Sequence, residues 1–73
     1  MSKLPRVSGR QAADALQKAG FRVCRQHGSH VILRRDDPFA QTVVPAHREL
    51  DRGTLRAILR QSGLGVEDFL GLL

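Results

Sequence analysis

The chain reads as a small α+β domain: one helix, three antiparallel strands, a second main helix and a short terminal one. Three observations predict it. An apolar stripe at helical spacing, Ala12, Ala13, Leu16 and Ala19, opens the chain, and a second, Leu55, Ile58 and Leu59, comes near its end. Between them lie three short runs with strand character, His30 to Arg35 the most β-branched and apolar. Turn residues, Gly28-Ser29 and Asp36-Asp37-Pro38, separate those runs at hairpin distance. Helices on both sides of such a meander cover one sheet face and leave the other partly open.

Each element follows from its residues. Ser8 is the expected N-cap of a helix over 9–19, with Asp14 four residues before Lys18 and Gly20 as its left-handed stop. Residues 21–26 alternate, which places Phe21, Val23 and Arg25 on one face and Arg22, Cys24 and Gln26 on the other. Residues 30–35 form the second strand and 41–44 a short third, ended by Pro45. Thr54 is the expected cap of the second main helix, which Gly63 ends with Leu64 packing back. Val66, Phe69, Leu70 and Leu73 give a final helix over 66–73, too short to stand without docking.

Seventy-three residues make a single domain, 1–73, with 1–7 as a basic N-terminal tail. A chain of this size buries roughly 60–65% of its unfolded surface. That thin core excludes a large substrate cleft or an internal cofactor cage. Twelve Lys and Arg against seven Asp and Glu leave a net charge of +5. Ten of the twelve cations are Arg, the side chain that grips phosphate oxygens with paired donors, so a polyanion is the expected partner. The same charge also serves plain solubility. One cysteine, Cys24, makes neither an internal disulfide nor a thiolate zinc site, and in mid-strand it reads as a small core residue. The longest apolar run, Val31-Ile32-Leu33, is far short of a membrane span, and the N-terminus lacks a signal-peptide core. A soluble protein of the reducing cytoplasm is expected.

Three histidines, His27, His30 and His47, are the side chains suited to proton transfer near neutral pH. Two of them bracket the turn in His27-Gly28-Ser29-His30, with Arg25, Arg34 and Arg35 close by. Gly28 lets a phosphate approach the backbone, and Ser29 adds a hydroxyl donor. A histidine there can move a proton to or from an RNA 2′-hydroxyl. Exposed turn histidines without function show the same pattern, and the pair lacks the further ligands of a metal site. A second feature is the row Arg52, Arg56 and Arg60, placed opposite Leu55 and Leu59. Like charges at this spacing repel by a few tenths of a kcal/mol (about 0.2–0.5 per pair), which a phosphate backbone or an acidic protein relieves. Local pairing of Arg52 with Glu49 or Asp51, or plain solvation, is the alternative.

Gly28-Ser29-His30 and the stretch from Val44-Pro45-Ala46-His47 through Glu49-Leu50 to Gly53-Thr54-Leu55-Arg56-Ala57-Ile58-Leu59-Arg60-Gln61-Ser62-Gly63-Leu64 stand in order behind an opening helix that ends Ala19-Gly20-Phe21. Together they resemble the HicA, or YcfA-like, toxins of bacterial type II toxin–antitoxin pairs, over about residues 8–72. That resemblance implies a fold like a double-stranded-RNA-binding domain, metal-independent endonucleolytic cleavage of mRNA, and a HicB-type antitoxin that masks the site. It also implies His30, of Gly-Ser-His, as the catalytic residue, and no cofactor. His27 and His47 both stand open as a second proton carrier, with Arg25, Arg34 or Arg48 as the cation on the phosphate. Gly28, Ser29, His47, Arg48, Arg56 and Arg60 complete the expected RNA contacts, and Phe39 is the one aromatic placed to stack on a base. A non-catalytic RNA-binding module of the same fold is the alternative function.

Overall fold

Ser8 starts the first helix with a reciprocal pair of hydrogen bonds. Its hydroxyl accepts from the Gln11 N–H at 3.0 Å, and the Gln11 side chain accepts from the Ser8 N–H at 2.9 Å. In the computed structural model, which describes residues 3–73, this helix is α1, Gly9–Lys18. Met1 and Ser2 of the expected tail lie outside the described residues. The segment before α1 is stitched to the body: Val7 is buried, its carbonyl accepts from the Leu50 N–H at 2.8 Å, and the Gly9 N–H donates to the His47 carbonyl at 2.9 Å.

Three strands follow, β1 (Arg22–His27), β2 (His30–Asp36) and β3 (Phe39–Pro45), in an antiparallel sheet of order β1-β2-β3. The third strand is longer than the expected 41–44. The turn before it consists of Asp37 and Pro38 alone, so pairing runs out to Asp36↔Phe39 and Phe39 is a strand residue rather than a loop residue. Alternation sends Val31, Leu33 and Arg35 of β2, with Ala40, Thr42 and Val44 of β3, toward the helices. His30, Ile32, Arg34, Gln41 and Val43 take the other face.

The expected alternation of β1 fails at one point. A β-bulge between Val23 and Arg25 leaves Cys24 without a cross-strand partner, and the phase of the strand shifts there. Arg25 now pairs with Ile32 and His27 with His30, whereas Val23 pairs with Leu33 and Gln26 with Val31. Arg25 therefore leaves the face of Val23, and Cys24 is exposed on an edge strand rather than buried in the core.

The second helix, α2 (Arg52–Ser62), is capped by Asp51, one turn earlier than Thr54. The Asp51 carboxylate accepts from the Thr54 N–H at 3.3 Å and from the Thr54 hydroxyl, so Thr54 supports the cap from inside the helix. The last helix, α3 (Val66–Leu72), docks through Phe69, which is fully buried, and the Lys18 ammonium donates to the Leu72 carbonyl at 3.1 Å. The core joins Leu16 of α1, Phe21, Leu33 and Val44 of the sheet side, Leu55, Ile58 and Leu59 of α2, and Phe69. Buried Thr42 donates its hydroxyl to Gln61 at 2.7 Å, which ties β3 to α2. The body measures 32 × 27 × 17 Å, the thickness of one helix layer on one sheet. This is the expected α+β architecture, consistent with a double-stranded-RNA-binding-domain-like fold.

Candidate functional site

The β1–β2 hairpin closes with two residues, Gly28 and Ser29, between the paired His27 and His30. Gly28 has φ 57° while among the described residues no non-glycine has positive φ, the pattern of a type II′ turn with glycine first. Such a turn matches the twist of the flanking strands and holds their register. The Gln26 side-chain amide donates to the Gly28 carbonyl at 2.9 Å, and the Ala46 N–H donates to the Ser29 carbonyl, so the turn is fastened to the exit of β3.

The two imidazoles therefore start from directly opposed positions on the open face. Both residues are exposed, and among the described residues neither ring has a hydrogen-bond or ion-pair partner. Arg25 lies beside Ile32 one pair further along, and Arg22 opposite Arg34 beyond it. Asp36 holds those last two: its carboxylate accepts from Arg22 at 2.7 Å and from Arg34 at 3.0 Å. The hydrogen bond from Arg22, with the nearby positive charges, keeps the Asp36 carboxyl below its ordinary range, and the same bond raises the Arg22 guanidinium. Arg25 forms no ion pair among the described residues. Exposed Val43 and Phe39 and half-buried Ile32 give this face apolar ground between the cations.

The remaining expected site residues lie elsewhere. His47 and Arg48 border an open groove of about 610 Å³ with Ser8, Arg10, Gln26 and Val31, on the side of the sheet that the helices cover. Arg56 and Arg60 are exposed on α2. With about 100° per helical residue, the Arg52, Arg56 and Arg60 row centres about 110° round from the buried stripe, a flank rather than the side opposite Leu55 and Leu59. Among the described residues none of the three forms an ion pair with Glu49 or Asp51. Arg35 is a structural cation: its guanidinium sits 4.8 Å over the Phe21 ring and donates to the Pro38 carbonyl at 3.0 Å.

The hairpin thus gathers Arg25, Gly28, Ser29, His30 and Arg34, and adds His27 as the cross-strand neighbour of His30. The two-residue turn sets that neighbour, while the bulge at Cys24 sets which side Arg22 and Val23 take. Among the described residues no three His, Cys, Asp or Glu side chains come together as a metal-ligand set, and no helix is long and apolar enough to cross a membrane.

A family model described as the HicA toxin of bacterial toxin–antitoxin matches residues 9–64, more than half of the chain and all of α1, the sheet and α2. Among curated proteins no match is found.

Proposed function

The chain belongs to the HicA toxin family of bacterial toxin–antitoxin, and from that premise we propose that it is an mRNA interferase with His30 as its catalytic base. The observation that supports this reading is the setting of His30: exposed, without a partner among the described residues, beside a glycine turn and on the sheet face that also carries Arg22, Arg25 and Arg34. A neutral imidazole at that place takes the proton of an RNA 2′-hydroxyl as the oxygen attacks the adjacent phosphorus. Arg25, free of carboxylate partners, sets its donors on the non-bridging phosphate oxygens, where charge grows in the transition state. Ser29 offers a hydroxyl, and Gly28 leaves open space in which the strand can pass, since a Cβ there would meet nothing within 4 Å. Arg34 contributes once phosphate competes with Asp36 for it. His47 and Arg48 at the groove, with Arg56 and Arg60 on α2, hold more distant parts of the RNA through phosphate contacts. No metal enters this route, so cleavage is expected to survive EDTA.

The partner under this reading is a HicB-type antitoxin that covers the hairpin, and the site of action is the cytoplasm, where mRNA is translated. The deciding experiment incubates purified protein with a long transcript. The wild type is expected to produce fragments and His30→Ala to lose them, a drop of about 10²- to 10⁴-fold in rate. Equal cleavage by His30→Ala would overturn the role. RNA retention without fragments from the wild type would favour a non-catalytic binding module.

A further inference from the structure

His27 has no part in the base chemistry assigned to His30, yet the fold fixes it directly across from that residue. The two-residue Gly28-Ser29 turn sets His27 across from His30 on the open face, and the Gln26 side chain, donating to the Gly28 carbonyl at 2.9 Å, helps to hold that turn. His47, the other histidine, lies at the groove on the helix-covered side, so His27 alone shares the surroundings of His30. Opposed residues on one sheet face have Cβ atoms about 4.5–5.5 Å apart. Two imidazoles rooted at that spacing can splay to either side of a phosphodiester and each come within about 2.6–3.2 Å of an oxygen.

From this pairing we infer that His27 is the general acid of the cleavage, an inference that rests on the interferase reading of His30. The step balances without any co-reactant. Neutral His30 accepts the 2′-hydroxyl proton, the 2′-oxygen forms a bond to phosphorus, the bond from phosphorus to the 5′-oxygen breaks, and protonated His27 gives its proton to that leaving oxygen. The products are a 2′,3′-cyclic phosphate and a 5′-hydroxyl, and proton exchange with water resets both rings. Around the pair the charged groups are Arg25, one pair further along, and then Arg22, Arg34 and Asp36 toward the far end of the strands. No carboxylate of the sheet reaches His27: Asp36 is engaged with the two arginines.

The test uses the full chain and two short RNA substrates, one ordinary and one with sulfur in place of the bridging 5′-oxygen at the cleaved bond. A thiolate leaves without protonation, so it does not need an acid. On the ordinary substrate His27→Ala and His27→Gln are each expected to cleave about 10²- to 10⁴-fold more slowly than wild type. On the sulfur substrate both are expected to approach the wild-type rate, whereas His30→Ala stays slow. A merely structural role of His27 would slow both substrates alike. Slow cleavage of both by the His27 variants, or unchanged cleavage of the ordinary one, would overturn the inference while the His30 reading stood. Wild-type rates from His30→Ala would instead remove the reading beneath it.

Discussion

Asp36 is the residue through which charge on the open face is held in check. Its carboxylate occupies Arg22 and Arg34, two of the cations that RNA would claim. Asp36→Asn frees both and raises the net charge from +5 to +6, since 5 + 1 = 6. RNA affinity at low salt is expected to rise, and its fall with added salt to become steeper, in filter-binding titrations. The same residue predicts a pH dependence. Asp36 and Asp51 both have carboxyls below their ordinary value, Asp36 first through its hydrogen bond with Arg22 and Asp51 through its bonds from Thr54. A depressed folded-state value adds stability that is present above the unfolded value, about 3.9, and is lost as pH falls through the folded one. Melting temperature is therefore expected to drop below about pH 4, with a smaller drop in Asp36→Asn. The candidate histidine His30 is legible directly from Gly-Ser-His in the chain. Its neighbour His27 follows from the two-residue Gly-Ser turn, whereas the bulge at Cys24, which decides the side taken by Arg22 and Val23, is a property of two strands together.

Among the elements, α1 shows how a glycine decides where a helix sits. A Cβ on Gly9 would lie 1.9 Å from the Pro45 carbonyl oxygen, a backbone atom that cannot swing away. The first turn of α1 thereby presses against the end of β3, on Pro45, which is the β3 pairing partner of His30. Gly9→Ala is expected to lower stability by about 1–3 kcal/mol, as overpacking does, readable as a shifted urea midpoint. An unchanged midpoint would mean that α1 does not approach β3 so closely. The helices themselves are largely readable from local signals: Ser8 with Gln11 caps α1, and Gly63 ends α2. The start of α2 is less so. Asp51 and Thr54 are both good caps by residue type, and the structure uses Asp51 as the cap with Thr54 bonded to its carboxylate.

The whole molecule is a sheet with one covered face, 17 Å thick, and most of its large buried side chains belong to the helix side. So thin a body gains markedly from anything that covers the other face. A cognate antitoxin at about a hundred times its dissociation constant adds about 2.7 kcal/mol. For a domain of this size each kcal/mol moves the melting point by about 4–8 °C. A shift of about 10 °C or more is expected in a thermal-melt titration, and no shift at saturation would argue against a stabilising partner on this face.

Element order and turn positions were legible from residues 8 to 73 because caps, helical stripes and turn residues act within a few positions of themselves. The extent of β3 to Phe39, the exposure of Cys24 and the flank taken by Arg56 and Arg60 were not. The place of His47 and Arg48, apart from the hairpin at the groove, belongs with them. Those outcomes depend on which strand residue opposes which and on which side of the sheet the helices settle. Contacts between residues distant along the chain set both, and no local pattern encodes them.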